Sequence, residues 1–415
     1  MNVSKMYLCV CLSLRQPLFR AAASCVFVFC FLTLSSAQKK TANPPEFDHI
    51  AAQADRARDG EDLENAQILY RRALAIRPGW AEGWWSLGTI LYDRDKYPEA
   101  ARAFAKVVSL QPQHGSARVM LGLCEFDQGQ DASALRDIES GKQLGVVEDA
   151  QLRHVMLYHE GVLLLRKGSF EAAQQALDSL GQEGVEDGDL ILALGMAVLR
   201  IRPDGLPPEG SNAREIVLRV GEAESMAASK NFDAARREYC ALATDYTETA
   251  NIHYAYGRFL LEMREIEPAV VEFQHEIQNN PRHALARFEI AAVRYRVDSA
   301  SGIKYAEEAV KLDPQRPFGH YLLGLLYLDT HNYAGAISEL EIAKRAHPNM
   351  PEIYFALGNA YARADRKLEA ARARATFTRL NSQTKKGAVD KGNDVPPSGL
   401  TPGQFEPEMT PKIPE

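Results

Sequence analysis

Residues 81–114 read AEGWWSLGTILYDRDKYPEAARAFAKVVSLQPQH, and the organisation of the chain follows from this stretch. Trp84, Leu87, Gly88 and Leu91 fall at i, i+3, i+4 and i+7, which is one face of a helix. Ala100, Phe104 and Val107 repeat that spacing in a second stretch. Pro112 closes it, because proline has no N–H to donate and clashes inside a helix. The unit is therefore two amphipathic helices and a stop, and it recurs. Pro78 and Pro112 lie 34 residues apart, Pro281 and Pro314 lie 33 apart, and Pro314 and Pro348 lie 34 apart. A fixed period of this length belongs to a repeat architecture, in which each unit buries its apolar face against the next.

The unit resembles the tetratricopeptide repeat, whose pattern runs W-x2-L-G-x2-Y, then A-x3-F, then P. Trp84, Leu87, Gly88, Ala100, Phe104 and Pro112 match it, while Leu91 stands at the tyrosine position and Tyr92 follows. Residues 317–350 carry Leu323, Gly324, Tyr327, Ala336, Leu340 and Pro348. Residues 250–283 carry Tyr256, Gly257, Leu260, Ala269, Phe273 and Pro281. Residues 351–384 carry Tyr354, Leu357, Gly358, Tyr361 and Ala370, with Arg374 where an aromatic is usual. Weaker copies at 47–80, 115–148, 154–187, 216–249 and 283–316 keep the register. The resemblance implies an all-α fold, an α-solenoid of helix-turn-helix repeats wound into a right-handed superhelix. Glycine costs about 1 kcal/mol relative to alanine inside a helix, yet Gly88, Gly122, Gly161, Gly257, Gly324 and Gly358 recur at one position. Close approach of the two helices in each pair is the expected compensation.

The pattern divides the chain. Residues 1–37 contain Lys5, Arg15 and Arg20 and no acidic residue, then an apolar run from Ala21 to Leu34 and the small residues Ser35, Ser36 and Ala37. A basic start, an apolar centre and a small-residue end describe a secretory signal peptide, so an exported protein, periplasmic or secreted, is expected. The run is short of the roughly 20 apolar residues of a membrane span, so no integral span is expected after cleavage. Retention of this segment as an anchor is the alternative. Residues 38–46 read as a linker, 47–187 as an N-terminal array and 216–384 as a C-terminal array. Between them, 188–202 read as a lone first helix, followed by a proline- and glycine-rich loop, 203–212, that interrupts the repeats. Residues 385–415 read as a disordered tail with Pro396, Pro397, Pro402, Pro407, Pro411 and Pro414.

Composition excludes several function classes. The chain is 46% hydrophobic and 25% charged with a net charge of −7, and loss of Lys5, Arg15 and Arg20 makes the remainder more acidic. That balance gives no electrostatic footprint for nucleic acid. Outside 1–37 only Cys124 and Cys240 remain, with no CxxC pair. No Gly-rich phosphate loop, HExxH or GxSxG elbow occurs. His154 and His159, five apart, do not share a helix face, and His253, His275 and His320 read as structural or solvated. No catalytic residue, cofactor or metal is expected, and the chain reads as a non-enzyme.

A binding surface remains. In the resembled family the first helix of each repeat lines a concave groove. The resemblance places Trp85, Tyr158, Tyr254, Tyr321 and Phe355 at one equivalent groove position, with Tyr92 two turns further along its helix. Arg258, Arg287 and Asn359 would add contacts to a peptide backbone or carboxylate. The basic-and-asparagine clamp of chaperone-binding members is not reproduced, since Asn359 has no matching lysines. Fully exposed, these aromatics would exceed the largest apolar patch of a typical monomer, about 300–600 Å², so neighbouring helices or a partner cover them. The expected function is a protein-interaction scaffold that binds a protein or peptide segment in the groove. A structural subunit of an envelope complex held by an uncleaved N-terminus, or an accessory subunit of an enzyme complex, are the alternatives.

Overall fold

A computed structural model describes residues 45–146, 150–185 and 187–389. The expected signal peptide lies outside these residues, as does the tail beyond 389. Every regular element described is helical, and the chain divides into two compact units, residues 1–163 and 164–415.

The first unit holds α1 (Pro45–Asp59), α2 (Leu63–Ile76), α3 (Ala81–Asp93), α4 (Tyr97–Leu110), α5 (Gly115–Asp127), α6 (Asp131–Leu144) and most of α7 (Ala150–Lys167). The second holds α8 (Phe170–Gln182), α9 (Gly188–Val198), α10 (Asn212–Ala228), α11 (Phe232–Asp245), α12 (Ile252–Glu262), α13 (Ile266–Asn279), α14 (Ala284–Arg294), α15 (Ser299–Leu312), α16 (Pro317–Asp329), α17 (Tyr333–Ala346), α18 (Pro351–Arg363) and α19 (Lys367–Val389). In each unit consecutive helices pack as hairpins, and each hairpin packs on the next. This is an all-α solenoid of helical repeats. Helix α19 runs past Ser382, where the repeat pattern ends, so residues 385–389 of the expected tail are helical.

The turn inside a hairpin is made the same way in repeat after repeat. Glu61, Asp95, Lys230, Arg264, His331 and Asp365 take left-handed conformations, with φ between 57° and 66°. That conformation commonly ends a helix; each residue here follows a first helix and turns the chain into the second.

The recurrent glycines sit where the two helices of a hairpin touch. A Cβ on Gly88 would lie 2.8 Å from the Phe104 ring, one on Gly257 2.6 Å from the Phe273 ring, and one on Gly324 2.6 Å from Leu340 Cγ. In each case the residue met lies sixteen positions later. Phe104, Phe273 and Leu340 are wholly buried, so the glycine is the socket for a core side chain of the second helix. Gly324→Leu is expected to overpack this socket and destabilise the C-terminal unit by about 1–3 kcal/mol. An unchanged thermal unfolding curve would remove this explanation of the glycine pattern.

Helix α9 is the odd element. The repeat pattern offers it no second helix, and the structure supplies one across the 203–212 loop. Helices α9 and α10 cross with backbone against backbone. A Cβ on Gly195 would stand 1.9 Å from the Val217 carbonyl oxygen, and one on Gly221 1.9 Å from that of Ile191. The loop between them holds one 3-10 turn, Pro203–Gly205, and Ser211 caps α10 by accepting from the Arg214 N–H at 3.2 Å. Helix α10 in turn pairs with α11 as the first helix of a regular repeat.

Candidate functional site

The nine candidate residues fall in both units. In the first, Trp85 is half-buried, stacked on the His114 ring at 5.2 Å and edge-on to Phe104 at 5.5 Å. His114 is the N-cap of α5, accepting from the Ala117 N–H at 3.2 Å, so Trp85 packs against the start of the next repeat. Tyr92 is buried, and its hydroxyl donates to Asp127 Oδ2 at 3.1 Å. Burial, reinforced by Asp127, pushes that phenol far above its ordinary range. Tyr158 is half-buried, edge-on to His159 at 5.4 Å. Glu160 is buried and paired with Lys142 Nζ at 2.7 Å. These side chains are mostly spacers within and between repeats.

In the second unit Tyr254 repeats the arrangement of Trp85. Its ring lies 4.9 Å from that of His283, the N-cap of α14. Tyr254 is buried, and its hydroxyl donates to Glu289 Oε1 at 3.4 Å. Arg287 is buried as well, with Nε on Glu308 Oε2 and Nη1 on the His283 carbonyl, both at 3.0 Å. It reads as an internal brace of the α14–α15 hairpin. Arg258 and Tyr254 line a recess with Gln174, Glu224 and Glu262. The recess is only about 20 Å³, close to the roughly 10–15 Å³ that one water requires. Burial, with Glu224 and Glu262 adding, pushes the nearby Asp178 carboxyl well above the usual range. Glu224 accepts from Tyr239 Oη and Gln174 Nε2. The recess concentrates acid groups around one arginine but admits no side chain of a partner.

Tyr321, Phe355 and Asn359 come together in a second cleft of about 510 Å³. Tyr321 is buried in its floor, Phe355 stands on its wall 47% exposed, and Asn359 lies one turn further along α18. The cleft is also lined by Arg296, Glu352, Arg363 and Arg374. Glu352 Oε2 is buried without a hydrogen-bond partner, and burial pushes this carboxyl above its ordinary value. Phe355 is 5.4 Å from Phe377 on α19, so the wall is an aromatic pair open on one side.

The tetratricopeptide repeat profile matches residues 51–108, 86–141 and 321–375. These segments are tetratricopeptide repeats. Among solved structures, MamA from Desulfovibrio magneticus RS-1 (residues 41 to the end) is similar with a TM-score of 0.38 at 20% identity, covering 40% of this chain and 94% of its own. Yeast Tom70 gives a TM-score of 0.32 at 15% identity, covering 83% of this chain and 73% of its own. A tetratricopeptide repeat protein from Parabacteroides merdae gives 0.32 at 14%, covering 76% and 99%. No curated protein matches this chain.

The last of these tetratricopeptide repeats departs from the others at Arg374. Its Cγ lies 3.1 Å from where a Cβ on Gly358 would be, so its stem occupies the socket that Phe104, Phe273 and Leu340 fill elsewhere. Arginine can cover an apolar socket with its methylenes and keep its charge in water. In the sequence Arg374 stands where an aromatic is usual, and the structure sets it on the cleft wall. Arg296, Glu352 and Arg363 were missed, and only the departure from an aromatic at Arg374 was a visible signal. Cys124 is buried, which pushes its thiol up and leaves it unreactive. Among the described residues, no helix is long and apolar enough to cross a membrane. Among the described residues, one group of three could hold a metal: His253, Glu272 and His275.

Proposed function

We propose that this tetratricopeptide-repeat protein is a non-enzymatic interaction scaffold that binds an extended protein segment in the cleft around Phe355. The cleft at residues 295–374 carries this reading. It is the site where three of the candidate groove residues converge with room for side chains, about 510 Å³. Phe355 offers apolar area, and the Asn359 amide is a donor and an acceptor suited to a peptide bond. Arg363 and Arg374 favour acidic residues in the segment, and the unpaired Glu352 oxygen favours an N–H donor at the floor. The small recess at Arg258 does not compete, because its volume stops at a water molecule. The pattern of residues 1–37 supports export, so the partner belongs to the periplasm or the exterior.

Pull-down from envelope extract with the wild type and a Phe355→Ala/Asn359→Ala variant tests this. Both side chains lie at the cleft surface, so the variant is expected to unfold at the wild-type temperature. Loss of a central aromatic anchor commonly costs about 2 kcal/mol of binding, and recovery of the bound protein is expected to fall about 10-fold or more. Equal recovery would move the binding face elsewhere.

A further inference from the structure

A polar pair links the two helices of a hairpin at one recurring place. Arg118 meets Asp137 at 3.2 Å, Arg219 meets Glu238 at 2.7 Å, His253 meets Glu272 at 2.6 Å and His320 meets Glu339 at 2.6 Å. The partners are nineteen residues apart each time. Taken alone, such a pair is a structural brace. The position one turn beyond the acid is Ser140, Ala241 and Ile342 in three of these hairpins, and His275 in the fourth. That substitution turns a brace into a ligand set.

The geometry is compact. His275 Nδ1 lies 3.9 Å from the same Glu272 oxygen that His253 Nδ1 contacts at 2.6 Å. The two imidazole rings are 5.1 Å apart and nearly perpendicular, at 72°. One ligand atom from each of the three residues falls within 4.8 Å of the others. A tetrahedral ion with bonds of 2.0–2.1 Å holds its ligand atoms about 3.3 Å apart, between the two spacings seen here. Nearby Glu276 is engaged by the Asn251 and Tyr254 N–H groups at 3.0 and 3.4 Å. It lies beside the set without entering it. Burial is graded: His253 is 8% exposed, Glu272 17% and His275 47%. The site is anchored in the α12–α13 hairpin and opens to solvent at His275, which leaves room for a water as fourth ligand.

We propose that His253, Glu272 and His275 bind a borderline divalent transition-metal cation, with zinc the best match to two imidazoles and a carboxylate. The ion would bridge α12 and α13 at the outer edge of their hairpin. The site is independent of the Phe355 cleft, since none of its residues lines that cleft.

The test is a calorimetric titration of the chelator-treated full chain with zinc chloride alone. The comparison is with His275→Ala, with Glu272→Gln and with His331→Ala, which alters another exposed histidine. The wild type is expected to show a stoichiometric site that His331→Ala retains. Removing a ligand is expected to weaken it by about 10-fold or more in the other two variants. Zinc is also expected to raise the unfolding temperature of the wild type and of His331→Ala, and not that of His275→Ala. Because His275 is exposed, the metal-free His275→Ala protein should unfold as the wild type does. Absence of zinc uptake by the wild type overturns the proposal, and so does an isotherm unchanged in both His275→Ala and Glu272→Gln.

Discussion

Gly195→Ala is expected to destabilise the C-terminal unit by about 3 kcal/mol, the upper end of the usual overpacking range. The added methyl would stand 1.9 Å from the Val217 carbonyl oxygen and 2.8 Å from its carbon. Those are backbone atoms of α10, so no rotamer change relieves the clash. The helices must separate, and separation uncovers Leu194, Val217 and Val220, all buried at this crossing. At Gly324 the nearest atoms belong to a leucine side chain, which can shift, so alanine there is expected to cost less than at Gly195. Gly188→Ala is the control, since a Cβ at that helical position meets nothing within 4 Å. Urea denaturation followed by circular dichroism is expected to show a lowered midpoint for Gly195→Ala and none for Gly188→Ala. Coincident curves would mean that α9 and α10 are not held at backbone contact.

Acidification is expected to weaken the same unit through His283. Burial, assisted by the positive charges of Arg200 and Arg287, depresses this imidazole to about 4. Its Nδ1 accepts from the Ala286 N–H at 3.0 Å, so Nε2 carries the proton and donates to Asn251 Oδ1 at 3.0 Å. Asn251 in turn donates to the Leu199 carbonyl at 3.0 Å, at the end of α9. Glu276 Oε1 lies 3.8 Å from Nε2, but burial pushes its own carboxyl up, which limits the charge it offers a protonated ring. A depressed value means the unfolded chain takes up the proton first. The stability is fully present above the unfolded value near 6.5 and is lost as pH falls through 4. At 1.36 kcal/mol per pKa unit, the shift corresponds to about 3 kcal/mol by pH 4. His283→Asn keeps a good N-cap residue that does not titrate. The stability difference between pH 7 and pH 4 is expected to be about 3 kcal/mol larger for the wild type than for this variant. Parallel pH profiles would show that His283 is not held neutral.

The hairpin period was legible because each repeat solves the same local problem. An i, i+3, i+4 apolar face, a glycine socket and a terminal proline can be read within one window, and the helices fall where that pattern puts them. The positions of Trp85, Tyr254, Tyr321 and Phe355 were also legible, as one register position repeated. Their exposure was not, because it depends on what the next repeat presents. Trp85 and Tyr254 meet histidine caps twenty-nine residues on, and Tyr321 forms the floor of a cleft. Phe355 belongs to the last complete first helix, with only α19 packed beyond it, and it stays open.

The sequence by itself therefore determined the fold class and the register, since both rest on contacts between residues within about one repeat. Only the tertiary structure decided which candidate residues a partner can reach. It also decided that α9 has a mate across the 203–212 loop, and that His253 and His275 share a carboxylate. Those facts rest on helices brought side by side after a turn or a loop, where spacing along the chain no longer measures distance in space.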